Sequence, residues 1–222
     1  MIVVLMAVSY FIGSIPVAWL MARLVTGRDL RHMGSGNVGV MNVGISVARW
    51  AGVLVFLAEA AKAALVITLA RSWVGGDAAI GLAVLSTFAG TRWPIWLRGA
   101  GGRGNTVAGI ALFFISWVGA LCIGALWLLV RLLTGSSFIA TRVNLVTGPL
   151  IVGLLTRSWW YVLLGAVFSL LFLTAHQRET DDHLIIKKRW AGLRSFLTMP
   201  RRKCSAAMLS RGLDLLTERQ HR

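Results

Sequence analysis

Apolar runs too long for a soluble core punctuate this chain. The first, "MIVVLMAVSYFIGSIPVAWLMARL", fills residues 1–24 and carries one charge, Arg23. A transmembrane helix needs roughly 20 mostly apolar residues. Seven stretches approach that length, at about 1–23, 48–72, 78–97, 105–118, 120–134, 144–156 and 158–175. "SWVGALCIG" at 116–124 supplies a small-residue turn between the fourth and fifth; merging them would leave six. With 57% hydrophobic and 14% charged residues, the chain reads as an integral membrane protein. The expected fold is all-α, a polytopic transmembrane helix bundle of about seven spans with a basic amphipathic C-terminal tail. The expected division is a membrane domain over 1–176 and a basic tail over 177–222. The first run lacks a charged leader and a small-residue cleavage pattern, so it is expected to be a retained helix. Cys122 and Cys204 are not expected to pair.

Charge placement orients the bundle. Loops 24–47, 92–104 and 135–143 carry or adjoin Arg23, Arg28, Arg31, Arg49, Arg92, Arg98, Arg103, Arg131 and Arg142. From residue 176 onward there are 11 Lys and Arg. Seven spans put these segments on the cytoplasmic side with the N-terminus outside. The net charge of +15 is then matched to anionic lipid headgroups. No nucleic-acid motif accompanies it, so no nucleic-acid partner is expected. Ile186, Trp190, Leu193 and Leu197 recur at helical spacing opposite Lys187, Lys188, Arg189 and Arg194, the pattern of a surface-lying helix.

Two polar segments interrupt the apolar chain on that cytoplasmic side: "RHMGSGNVGVMN" at 31–42 and "RGAGGRGN" at 98–105. Such backbone cannot lie bare in lipid, because its polar groups would lack partners. Glycines let the backbone approach an anion, and N–H groups at a helix start favour negative charge. Arg103 adds a fork of donors suited to phosphate. Neither segment has the Gly-Lys-Ser/Thr of a P-loop, and no strand precedes either, which excludes a dinucleotide fold. Ordinary helix-joining loops are the competing reading. Glu59 and Lys62 lie three apart inside the second run. They are either a mutual pair in the bundle interior or a functional site, and the second option raises a small transporter as an alternative.

Residues 13–43, "GSIPVAWLMARLVTGRDLRHMGSGNVGVMNV", resemble the first region of the bacterial acyl-phosphate glycerol-3-phosphate acyltransferases. That region reads Gly-Ser-Gly-Asn-x-Gly-Ala-Thr-Asn. Gly34, Ser35, Gly36, Asn37, Gly39 and Asn42 match it, and Glu59 and Lys62 fit the family's acidic residue three before a Lys. The second region aligns without a gap on "GTRWPIWLRGAGGRGNTV" at 90–107, where Gly90, Pro94, Leu97, Gly101, Gly102 and Gly104 are identical. The chain departs elsewhere. The family His falls on Thr91, its Arg on Ile45 with Arg49 nearest, its Lys on Arg103, and a later Ser on Ala140 beside Thr141. Its third region survives mainly as His176.

The resemblance implies transfer of an acyl chain from acyl phosphate to glycerol 3-phosphate at the bacterial cytoplasmic membrane, among membrane lipids and without cofactor or metal. It implies catalytic roles for His176, Asn37 and Ser35. Substrate or phosphate contacts would come from Gly34, Gly36, Asn42, Arg49, Gly101, Gly102, Arg103 and Gly104. His176 would take the proton, or the substrate phosphate would. The departures keep a second alternative open, a non-catalytic relative that binds a lipid or phosphorylated ligand. His176 and Asp181 also spell the His-x4-Asp of another acyltransferase family, but the mixed α/β domain that pattern serves has no strands to build it here.

Overall fold

The computed structural model of the protein describes residues 1–175. His176, the amphipathic face at 186–197 and the tail domain 177–222 lie outside the described residues. Among the described residues the chain forms nine α-helices and no strand. They are α1 (Ile2–Ser14), α2 (Val17–Thr26), α3 (Val40–Ser46), α4 (Arg49–Trp73), α5 (Gly76–Arg92), α6 (Asn105–Ile115), α7 (Trp117–Thr134), α8 (Ser137–Thr156) and α9 (Trp159–Ala175). Two short 3-10 turns, Leu30–His32 and Ile95–Leu97, lead into the two polar segments.

Four stretches are long and apolar enough to cross a membrane: Ile2–Thr26, Arg49–Trp73, Trp117–Thr134 and Phe138–Thr156. The remaining apolar helices α5, α6 and α9 have 17, 11 and 17 residues. At 1.5 Å per residue, α6 is only about 16 Å long. It stops at Ser116, whose hydroxyl accepts from the Gly119 N–H (3.1 Å) and starts α7. The freed Phe114 carbonyl at the end of α6 accepts from Arg71 of α4 at 3.0 Å.

Several helix boundaries differ from the sequence expectation, each for a local reason. The first run is broken at Ile15–Pro16, because proline cannot donate the helical hydrogen bond. The third ends at Arg92 instead of residue 97, two residues before Pro94. The sixth begins at Ser137 instead of 144, so the supposed loop 135–143 shrinks to Gly135 and Ser136. There Gly135 is left-handed (φ 65°) and Ser136 caps α8 through the Ile139 N–H. Pro149 sits inside α8 and removes the bond to Leu145; Ser169 of α9 donates to that carbonyl at 2.6 Å.

Two apolar clusters fix the architecture. One joins Leu5, Ile67, Ala83, Ala111, Val152 and Tyr161 across six helices. The other joins Ala18, Ala22, Leu30, Val38, Val43 and Val55, so it lies directly against the first polar segment. Helices α1 and α5 touch backbone to backbone: a Cβ on Gly13 would strike the Thr87 carbonyl, and one on Gly90 the Tyr10 carbonyl. Small residues permit this approach between membrane helices.

Candidate active site

The first polar loop is built around one side chain. Asn42, the third residue of α3, is 1% exposed. Its amide donates to the carbonyls of Met33 (2.9 Å) and Asn37 (2.9 Å), and its Oδ1 accepts from the Ser35 N–H (3.2 Å) and the Ser46 hydroxyl (2.9 Å). Gly34 (φ 56°) and Gly36 (φ 73°) supply left-handed turns. A Cβ on Gly34 would collide with Asn42 Oδ1 and Ser46 Oγ. Ser35 Oγ accepts from the Asn37 N–H at 3.3 Å. At the loop's start, Asp29 caps the 3-10 turn through the Arg31 N–H (2.9 Å) and pairs with the Arg31 guanidinium at 2.6 Å. That guanidinium holds the Asp29 carboxyl well below the usual carboxylate range.

The second loop folds back on the end of α5. The N–H groups of Gly101 and Gly102 donate to the carbonyls of Arg92 (3.2 Å) and Thr91 (3.1 Å), and the Ile95 N–H donates to Ser14 of α1 (2.9 Å). Each glycine is pressed against backbone: a Cβ on Gly101 would strike the Thr91 carbonyl, and one on Gly102 the Val38 carbonyl of the first loop. Gly104 (φ 72°) is the left-handed cap from which α6 starts.

These contacts bring the two loops to one cavity of about 90 Å³. Asn37 and Gly39 line it from the first loop, Arg103, Gly104 and Asn105 from the second, and Glu59 and Thr91 from α4 and α5. A smaller adjoining space, also lined by Glu59 and Thr91, is where Gly101 and Gly102 lie. On the other side of Asn105 is an apolar cavity of about 490 Å³ among α5 to α9, with Leu112, Trp127, Leu164 and Phe168 in its wall.

The expected site residues thus divide. Asn37, Arg103 and Gly104 line the shared cavity. Ser35, Gly34, Gly36 and Asn42 shape the first loop, and the side chain of Asn42 is engaged wholly with its own segment. Gly101 and Gly102 use their N–H groups on the end of α5, and Arg49 is exposed at the first residue of α4. Glu59 and Lys62 form an ion pair at 2.9 Å, and Lys62 also donates to the Ile15 carbonyl at the Pro16 break, at 2.9 Å, beside the Val17 N–H that donates to the same oxygen at 3.0 Å. Asn105 and Thr91 are cavity residues that sequence reasoning did not assign; the only signal for Asn105 was its place at the boundary between glycine loop and apolar run. Among the described residues, no three His, Cys, Asp or Glu side chains gather as a metal site.

A family model described as glycerol-3-phosphate acyltransferase matches residues 3–184. The chain belongs to the glycerol-3-phosphate acyltransferase family. A glycerol-3-phosphate acyltransferase of Prochlorococcus marinus (strain MIT 9515) is 31% identical over 192 residues, covering 84% of this chain and 94% of that protein. Its counterpart in Synechococcus sp. (strain CC9902) is 34% identical over 181 residues, covering 80% and 88%. Among solved structures, the glycerol 3-phosphate form of PlsY (YgiH), an integral membrane glycerol 3-phosphate acyltransferase, superposes with a TM-score of 0.72 at 24% identity. It covers 89% of this chain and 99% of that one. That likeness shows that the acyltransferase shares its membrane-embedded helical fold.

Proposed function

We propose that this chain is a membrane acyltransferase that moves an acyl group from acyl phosphate to the 1-hydroxyl of glycerol 3-phosphate, giving lysophosphatidic acid and phosphate. One observation carries the reading: Asn37 and Arg103, from loops far apart in sequence, line a single small cavity that meets an apolar one at Asn105. An acyl phosphate has the same two-part character, an anionic head on an apolar tail. In this reading the tail lies in the larger cavity and the phosphates are held by Arg103 and the first turn of α6. Asn105, Thr106 and Val107 of that turn border the small cavity, where N–H groups without helical partners favour an anion.

An acyl phosphate is already activated, so the protein mainly has to hold two anions and one hydroxyl in attack geometry. The hydroxyl oxygen attacks the acyl carbon, the bond to the phosphate oxygen breaks, and phosphate leaves with the electron pair and takes up the hydroxyl proton. Asn37 and Arg103 supply donors to the oxygens on which charge develops. His176 remains a second candidate proton acceptor, and Ser35 and Arg49 secondary contacts. The protein is placed in the cytoplasmic membrane with its N-terminus outside and its basic tail, residues 177–222, on the inner side.

The test is transfer by the purified chain. Acyl phosphate and labelled glycerol 3-phosphate should yield lysophosphatidic acid and phosphate in equal amounts. Asn37→Ala and Arg103→Ala should each reduce the rate at least about 100-fold, as losing a transition-state donor does. No product from the unaltered protein would refute the reading. A reporter at residue 222 found outside the cell would refute the orientation.

A further inference from the structure

Within the small cavity one polar atom has no task in the fold. Glu59 is 8% exposed. Its Oε1 is paired with Lys62 at 2.9 Å, and Lys62 in turn donates to the Ile15 carbonyl at the Pro16 break. Lys62 is therefore explained by the bend in the first helix. The second carboxylate oxygen, Oε2, is buried and has no hydrogen-bond partner among the described residues. Glu59 lies where the two loop cavities adjoin, lining both together with Thr91. Buried polar atoms are almost always paired, and one left over at a cavity wall marks a place for a donor from outside.

A carboxylate oxygen only accepts hydrogen bonds. An ionised phosphate offers it none and is repelled by it, whereas an alcohol offers an O–H. The cavity thus has two ends of opposite demand, a donor end at Arg103 and Asn37 and an acceptor end at Glu59. We propose that Glu59 Oε2 accepts a hydrogen bond from a hydroxyl of the acceptor substrate, so that Glu59 selects a hydroxyl-bearing organic phosphate over other anions. The inference rests on the acyltransferase reading and assigns the acceptor end of that site. Lys62 keeps the pair neutral, so the second oxygen serves the alcohol without setting an uncompensated charge against the phosphate.

Glu59→Gln inverts this end. Lys62 has only donors to offer, so the amide carbonyl must face Lys62 and the amide NH2 must face the cavity. The experiment reads binding instead of turnover, by calorimetry on the full chain in detergent. The probes are glycerol 3-phosphate, a diol phosphate, and propyl phosphate, which differ only in the two hydroxyls. The unaltered protein should bind the diol phosphate about tenfold or more tightly, the worth of one hydrogen bond to a charged group. Glu59→Gln should shrink that difference severalfold, because an amide N–H to the alcohol oxygen replaces a bond to a charged acceptor, while the propyl phosphate affinity should not fall, because Lys62 is no longer neutralised. If Glu59→Gln does not fold, Glu59→Asp, which withdraws the oxygen by one methylene, carries the same comparison. Equal binding of both probes by the unaltered protein overturns the proposal, as does a difference that survives undiminished in the variant. Loss of both probes alike assigns Glu59 to structure and overturns it too. A chain that prefers the diol phosphate yet forms no lysophosphatidic acid overturns the catalytic reading and leaves this one standing.

Discussion

Gly102 lies so close to the carbonyl oxygen of Val38 that a Cβ would strike it, so at this point the two polar loops meet backbone to backbone. Leu97 of the second loop also joins the apolar cluster of Val38 and Val43, but no side chain can be inserted at Gly102 itself. The relative position of Asn37 and Arg103 is set across this seam. Gly102→Ala should force the loops apart and cost about 1–3 kcal/mol, as overpacking does. Acyl transfer should fall at least tenfold, more than the lowered thermal midpoint alone accounts for, and both are read on one detergent preparation. Unchanged transfer would mean that the seam does not position the site.

Asn42 and Asn37 are the same residue type five positions apart, yet they do different work. Asn42 bonds to the carbonyls of Met33 and Asn37 and to the Ser35 N–H, while Asn37 borders the cavity. Asn42→Ala takes the acceptor from the Ser35 N–H and the Ser46 hydroxyl and one of two donors from the Met33 and Asn37 carbonyls, which costs about 1–3 kcal/mol. Its thermal midpoint and its activity should therefore fall together. Asn37→Ala should lose activity with a nearly unchanged midpoint. An Asn42→Ala protein as stable as the original, but inactive, would make Asn42 a substrate contact instead of a scaffold.

That division of labour was not legible in the sequence, whereas much of the frame was. Runs of apolar residues mark helices reliably because a lipid-exposed backbone has no other way to satisfy itself. The turn at Ser116 was also readable, from the small residues after it. Charge misled at Arg142, taken as part of a loop. The residue is helical, and its guanidinium lies 4.5 Å over the Phe138 ring one turn back, which lets a cation sit on an apolar helix. Proline positions were visible, but not which distant side chains would meet the carbonyls near them: Lys62 at Ile15 and Ser169 at Leu145. In the site, the meeting of the two loops was legible from their paired glycine-rich, basic character, but not the rest of the cavity wall, because Glu59, Thr91 and Asn105 reach it only through the packing of α4, α5 and α6.

The Asp29–Arg31 pair anchors the start of the first loop, and its effect should follow pH in one direction. Arg31 depresses the Asp29 carboxyl in the folded protein, so the unfolded chain binds the proton more readily. The pair's contribution is therefore complete above the ordinary Asp value of about 4 and fades as the pH drops below it. The difference in thermal midpoint between the original protein and Asp29→Asn should be constant from neutral pH down to about 5 and shrink in more acid solution. With side-chain exposures of 38% for Arg31 and 20% for Asp29, it should also shrink in about 1 M salt, where screening acts within about 3 Å. A difference that grows on acidification would contradict the pairing.

Gly109 faces the large apolar cavity from α6, and a Cβ built there meets nothing within 4 Å. The empty space is not needed for packing, since replacing a helical glycine whose site is open stabilises by restricting the unfolded chain. It is needed only if an acyl chain enters. Gly109→Phe should therefore fold with an unchanged or raised thermal midpoint, yet lose transfer selectively. Short acyl phosphates should react nearly as before, while long ones should fall by roughly tenfold or more, the discrimination a few methylenes give in an apolar pocket. The comparison is kcat/KM against chain length in the two proteins. Parallel loss at every length would move the acyl chain out of this cavity and onto the lipid-facing surface of the bundle.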